Sequence, residues 1–398
     1  MRLQCLAWAA ANLVQLATTA KEAPLITSPE SSSSLHPKSS SYQFLPPLRE
    51  QTKLQDSWTA IRTDAIPALL TKHSVDAWLI SQREYAEETV FWSLKPAQAF
   101  SARRRTTILY LADRSAKNNH VASSSEEDGY QSIDGTALKY TWIDNTAQMW
   151  TELSDVLKKH QPRNIAIDAH TEIAFSSGLH AGEREAMEAA LGSHWASRFV
   201  VKPMVAVEYI GTQIDERLSW YKKLQETAWS IIHEGFSEKV ITPGHTTTAD
   251  VEWWMRDKIQ ALNYTTWFHP SVSVIKGLFP FPASADAAGQ TIIHGDLLHV
   301  DFGVTAMGMN TDTQHLGYVL SPGESEADVP TSLKQGLLVG NKLQDIVKSH
   351  MVPGLTGNEI LKKSRKSMAE AGIEGKIYCH AIGDWGHSAG TVIGKSVL

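Results

Sequence analysis

Between about residue 45 and residue 205, apolar positions fall in short runs separated by polar, helix-type stretches. Ala77 to Ile80, Thr106 to Ala112, Tyr140 to Ile143 and Asn164 to Asp168 read as strands, and Asn145 to Lys159 reads as a helix between two of them. This alternation predicts an α/β layer. It carries no glycine-rich phosphate loop, no nucleophile elbow and no metal-ligand spacing. Its expected role is therefore structural, or the shaping of an entrance to a site elsewhere.

From residue 206 the period lengthens. Leu218, Tyr221, Leu224, Ala228 and Ile231 recur at three- and four-residue steps, the mark of an amphipathic helix, and Pro243-Gly244 ends that unit. Thr247 stands three residues before Asp250, a capping box that opens a second helix running to about Leu262. Two strand-like runs follow, Leu297 to Thr305 and Asn310 to Leu320, and then helices near Leu333 to Ser349 and Asn358 to Ala371 about the turn Pro353-Gly354. This order predicts an α+β domain whose helices cover one face of a mostly antiparallel sheet.

The remaining stretches are polar. Residues 27 to 42, TSPESSSSLHPKSSSY, cannot bury enough apolar surface to order themselves and read as a leader, and Arg114 to Gly135 reads as a surface loop. At the N-terminus, Met1-Arg2 precedes an apolar stretch, Leu3 to Leu16, that is too short to span a bilayer. Thr18-Thr19-Ala20 supplies small residues behind it, so the expectation is a signal peptide and a secreted protein. The sequon Asn263-Tyr264-Thr265 is compatible with that route. Only Cys5 and Cys379 are present, so a mature chain would hold one thiol and no internal disulfide. A formal charge of -6 excludes the basic footprint of a nucleic-acid or anionic-membrane binder. The dense cluster Arg103 to Arg105 reads as a solvated loop.

Candidate chemistry sits in the last third. The run Leu297 to Leu320 reads as a hairpin turning at Gly308. A loop centred between Ala306 and Met307 would set Asp301 directly opposite Asp312, with both carboxylates on one face. Opposed residues have Cβ atoms only ~5 Å apart, where like charges destabilise unless a cation lies between them. Two carboxylates so placed suit divalent metal ions that activate water. His299 shares their face by parity. The segment Gly383-Asp384-Trp385-Gly386-His387-Ser388-Ala389-Gly390 flanks a histidine with glycines that allow close backbone approach, which makes His387 a candidate imidazole ligand.

Together, Asp301-Phe302-Gly303, Asp312 eleven residues beyond Asp301, and His387 in its Gly-rich segment resemble the pita-bread metallopeptidase family. That family includes Xaa-Pro dipeptidase, aminopeptidase P, methionine aminopeptidase and the metal-free creatinase. The resemblance covers roughly residues 206 to 398, with a less specific likeness of the first half to the leading domain of the creatinase and aminopeptidase P branch. It implies the fold class: an α+β, creatinase/aminopeptidase-like pita-bread catalytic domain preceded by an α/β N-terminal domain. It also implies metal ligands at Asp301, Asp312 and His387, two divalent ions per complete site (Mn, Co or Zn), and hydrolysis of N-terminal, often proline-preceding, peptide bonds by a metal-activated water. A peptide substrate is the expected partner, without nucleic acid or membrane; a homodimer is left open.

Three departures from the family pattern shape the expectations. Gly277 to Gln290 holds no histidine, which leaves His269 and His294 as candidates for one substrate contact. Gly383 replaces the histidine that stands four residues before the ligand, which leaves His380 as the candidate for the other. No glutamate follows Glu374, although the family supplies two glutamate ligands after the histidine. The expected organisation is a signal peptide (1–20), a Ser/Pro-rich leader (21–44), an α/β domain (45–205) and a metallopeptidase domain (206–398) that is incomplete at its C-terminus and inactive in this form. The alternative is a non-catalytic binding or scaffold protein on the same fold.

Overall fold

The computed structural model describes residues 41–113, 138–275 and 289–394. The expected signal peptide, the leader up to residue 40, the loop Arg114 to Gly135 and most of Gly277 to Gln290 lie outside them. The chain folds as two compact units: Pro47–Glu216 is one, and the other joins the segment ending at Pro46 to the chain from Arg217 onward.

The first unit is built on a five-stranded sheet. Its helices are α1 (Leu48–Asp64), α2 (Ile66–Lys72), α3 (Thr89–Leu94), α4 (Ala147–His160), α5 (Ala181–Ala196) and α6 (Pro203–Gly211). Its strands are β1 (Ala77–Arg83), β2 (Arg105–Leu111), β3 (Lys139–Ile143), β4 (Ile165–Ile167) and β5 (Phe199–Val201), in the order β3-β2-β1-β4-β5. β2 pairs antiparallel with both β1 and β3, whereas β4 pairs parallel with β1 and β5. Leu79, Leu109, Trp142, Leu153, Ile165 and Met187 form a core between the sheet and helices α4 and α5. Each fully buried aliphatic chain there contributes ~1.5–3 kcal/mol.

This core also encloses charge. Arg105 pairs with Glu183 at 2.9 Å, and Ser81 donates to the same carboxylate at 2.6 Å. Asp168 accepts from the Trp78 indole at 3.0 Å and from Ser176 at 2.9 Å, while the Gln82 amide donates to Glu88 at 2.7 Å. Burial raises the pKa of both Glu88 and Asp168, and the nearby Asp168 charge raises that of Glu88 further.

In the second unit, α7 (Leu218–Gly235) buries Leu224, Ala228 and Ile231, the stripe the sequence predicts. The helix α8 (Thr248–Ala261) opens on the Thr247–Asp250 capping box, with both reciprocal bonds formed. Residues of the segment before Pro46 lie against these helices: Gln43 donates its N–H to Thr227 Oγ1 at 3.1 Å, and the Tyr264 hydroxyl donates to the Gln43 carbonyl at 2.7 Å. Strands β6 (Ser271–Val274), β7 (Leu297–Phe302) and β10 (Thr313–Tyr318) form an antiparallel sheet in the order β10-β7-β6. Between β7 and β10, β8 (Thr305–Ala306) and β9 (Met309–Asn310) close a small hairpin. Beyond the sheet, α9 (Thr331–His350) and α10 (Gly357–Glu370) pack through Leu343, Val347 and Met368. A last hairpin pairs β11 (Ile382–Gly383) with β12 (Gly386–His387).

The register of the central hairpin corrects the expected one. Asp301 stands opposite Gln314 on β10 and opposite Ser271 on β6, not opposite Asp312. The two turn residues are Met307 and Gly308, with φ of 51° and 71°, because the tight turns that match strand twist need positive φ at both central positions. That turn displaces the pairing by two residues. A two-residue displacement keeps the face of every side chain, so Asp301 and Asp312 remain on one side as diagonal neighbours.

Candidate metal centre

Asp301 lies near the end of β7, flanked by the buried Val300 and Phe302, and its carboxyl is turned to the opposite face. There the Gln314 amide donates to Asp301 Oδ2 at 3.2 Å, and Gln314 Oε1 accepts from His299 Nε2 at 2.9 Å. Asp301 Oδ1 is buried and accepts no hydrogen bond from an N–H donor. Burial pushes the Asp301 carboxyl up to about 7, and the Asp312 charge adds to that rise. Burial also raises Asp312, to about 6.

Asp312 follows Thr311, which is fully buried and carries much of the local geometry. Thr311 Oγ1 accepts from the Val304 N–H at 2.9 Å, and the Thr311 carbonyl accepts from the Trp267 indole at 3.0 Å. Gly303 must be a glycine, since a Cβ there would stand 2.0 Å from the Thr311 carbonyl oxygen.

His387 lies on the last hairpin, whose two turn residues are Asp384 and Trp385, and His380 precedes that hairpin by two residues. Asp384 is buried and pairs with the buried Arg217 at 2.8 Å. Asn310 donates to the Gly383 carbonyl, and the Tyr221 hydroxyl donates to the Asn310 carbonyl, so helix α7, the β8–β9 hairpin and the β11–β12 hairpin are tied together. Trp267 packs edge-on against the His387 ring at 4.7 Å and lies so close over Gly386 that a Cβ would meet it at 2.2 Å. His380 sits at 4.1 Å from His387, ring centre to ring centre, with Nε2 3.5 Å from Asp312 Oδ2.

One donor atom each from Asp312, His380 and His387 therefore lies within 4.8 Å of the other two. Burial lowers the pKa of both histidines, and the His380 ring lowers that of His387 further, which favours the neutral imidazole form. A carboxylate and two neutral imidazoles, beside a second buried carboxyl with an unsatisfied oxygen, fit a divalent cation. Coordination would replace the protons that burial otherwise holds on the acidic pair.

The other expected substrate contacts lie elsewhere. His269 is exposed, meets the Trp253 ring edge-on at 5.2 Å and faces Glu252 at 3.5 Å. His294, also exposed, bonds the Leu320 carbonyl through Nδ1 at 2.7 Å. Neither belongs to the group of converging donors. Sequence reasoning missed Arg217, Tyr221, Trp267 and Gln314 as groups that hold the site. The one available signal was Asp384, a charge placed in the glycine-rich segment.

Residues 222–397 match metallopeptidase family M24. Among solved structures, the X-Pro aminopeptidase from Thermotoga maritima MSB8 is similar with a TM-score of 0.50 at 15% identity, over 80% of this chain and 82% of that one. The prolidase from Pyrococcus horikoshii OT3 aligns with a TM-score of 0.47 at 16% identity, over 85% of this chain and 87% of that one. No curated protein sequence matches the chain. M24 metallopeptidases use divalent metal ions, and the fold here is the mixed α+β pita-bread fold of that family. By its segment 222–397, the chain is similar to metallopeptidase family M24.

Proposed function

We propose that the unit beginning at Arg217 is a metal-dependent hydrolase of N-terminal peptide bonds, with Xaa-Pro peptides as the substrate class. Asp312 and His387 would hold a divalent ion, with Asp301 beside Asp312. One observation carries the reading: three ligand-type atoms converge within 4.8 Å next to a buried pair of acids. When bound, the ion supplies Lewis-acid polarisation of the scissile carbonyl and a more acidic water. The chain's own groups do the rest. Asp301 Oδ1, which no N–H occupies, is the atom placed to accept a proton. Trp267 covers one side of His387 and holds its ring in place.

The test is release of the N-terminal residue from Xaa-Pro peptides by the full chain, with and without a chelator. Hydrolysis that stops on chelation, and that Asp312→Ala lacks, is the expected result. Hydrolysis indifferent to both would contradict the reading.

A second reading, a binding protein on the same fold without turnover, is favoured by the positions of His269 and His294 away from the converging donors. Peptide binding without hydrolysis by the metal-loaded chain would select it. Among the described residues no helix is long and apolar enough to cross a membrane. Secretion belongs to the proposal through the N-terminal apolar stretch Leu3 to Leu16, and N-terminal sequencing of the mature protein tests it.

A further inference from the structure

We propose that Asn263, in the sequon Asn263-Tyr264-Thr265, carries an N-linked oligosaccharide in the mature protein. This rests on the secretion part of the reading above, not on its metal-dependent part, and adds a covalent modification site to it.

The fold turns both recognition residues of the sequon outward. Helix α8 closes in a paired cap: the Tyr264 N–H donates to the Ile259 carbonyl at 3.1 Å, and the Asn263 N–H donates to the Gln260 carbonyl at 3.0 Å. That closure sets Asn263 in the left-handed region, at φ of 60°. Tyr264 is 3% exposed and its hydroxyl donates to the Gln43 carbonyl at 2.7 Å, which pins the middle residue inward. Asn263 and Thr265, on either side of it, are exposed.

The fold itself asks for neither side chain. Backbone groups alone make the cap, and glycine is the residue such a position usually takes. Among the described residues nothing bonds the Asn263 amide. Thr265 pairs with Thr305 through its backbone in both directions, at 3.0 and 2.7 Å, and its hydroxyl adds only a 3.3 Å contact to the Thr305 carbonyl. An asparagine amide and a hydroxyl two residues on, with a residue other than proline between them, are what N-glycosylation requires. The chain holds one such triplet, so a single glycan is expected.

The sugar donor is a lipid-linked oligosaccharide diphosphate of the secretory route. Asn263 Nδ2 forms a bond to the anomeric carbon of the first sugar while the bond from that carbon to the diphosphate oxygen breaks. The lipid diphosphate leaves with the electron pair, and one amide proton passes to the transferase. Entry to that route is what the apolar stretch Leu3 to Leu16, with Thr18-Thr19-Ala20 behind it, supplies. The folded chain accommodates the product, because the exposed end of α8 lets a bulky hydrophilic group stand in solvent.

The experiment expresses the full chain, with its own N-terminus, in a eukaryotic secretory host and compares the secreted protein before and after peptide N-glycosidase. The parent is expected to gain electrophoretic mobility in one step on treatment, and peptide mass spectrometry should then find position 263 deamidated. Asn263→Gly, which suits the left-handed cap, and Thr265→Val should both run with the treated parent, whereas Thr265→Ser should keep the shift. Should the variants fail to fold, the mass spectrum of the parent decides. A secreted parent with unmodified Asn263 would overturn the assignment and leave secretion and metal-dependent hydrolysis standing. A parent found only inside the cells and unmodified would overturn the assignment together with secretion. A shift that persists in both Asn263→Gly and Thr265→Val would place the glycan elsewhere and also overturn it.

Discussion

Gln314 joins Asp301 to His299: its amide donates to Asp301 Oδ2 at 3.2 Å while its oxygen accepts from His299 Nε2 at 2.9 Å. His299 is 3% exposed, so that end of the bridge has no ready access to water. Gln314→Leu keeps the volume and removes both bonds, leaving a buried donor and a buried acceptor unpaired. The expected loss is about 1–3 kcal/mol of unfolding free energy, measured by urea titration. An unchanged midpoint would show that the bridge is not part of what holds the site.

Arg217 and Asp384 form an ion pair in which both side chains are under 10% exposed. Taking away one partner strands the other charge in a low dielectric. Arg217→Met or Asp384→Leu alone should cost ~3–5 kcal/mol, and the two together should recover much of that loss. A double-mutant cycle read by chemical denaturation checks it. Additive losses would mean that the pair is not coupled.

Gly386 adopts φ of 68°, and a Cβ there would lie 2.2 Å from the Trp267 ring. Gly386→Ala combines a strained backbone with an overpacked aromatic contact, each worth on the order of 1–3 kcal/mol. Because Trp267 also touches His387, the variant should weaken metal binding while Gly372→Ala, which has open space around it, should not. Calorimetric titration of both variants makes the comparison, and equal affinities would contradict the proposed role of Trp267.

Asp168 shares the pH dependence of the first unit with Glu88, whose carboxyl burial also raises. Burial raises its carboxyl to about 7, and the bonds from Ser176 and Trp78 only partly offset that rise. A carboxyl whose folded pKa is raised contributes stability that is fully present below its unfolded pKa near 4 and is lost as pH rises through the folded value. The first unit should therefore unfold at progressively lower temperature as pH increases from about 4 to about 7. Asp168→Asn, which retains an acceptor for Trp78, should make that profile shallower, with the remaining slope due to Glu88. A parent profile that rises across the same window would contradict the assignment.

The elements of both units were largely legible in the hydrophobic period, since Leu224, Ala228 and Ile231 do line the buried face of α7 and Thr247 and Asp250 do cap α8. So was the shared face of Asp301 and Asp312, because side chains alternate along a strand whatever its partner. Their register was not legible. It depends on which two residues take positive φ, and Met307, an unusual choice for that conformation, takes one of those places. The approach of His380 to His387 was hidden for a related reason. It follows from a two-residue turn at Asp384 and Trp385 whose geometry is held by Arg217, more than 160 residues earlier. Contacts at such separation leave no local pattern to read.

The most direct measurement is the metal content of the purified full chain beside Asp312→Ala, after both are incubated with Zn²⁺ and freed of excess. Elemental analysis should find stoichiometric metal in the parent and almost none in the variant, with both folded by circular dichroism. Equal metal in the two proteins would contradict the assignment of Asp312 to a metal centre, and with it the hydrolytic function built on that residue.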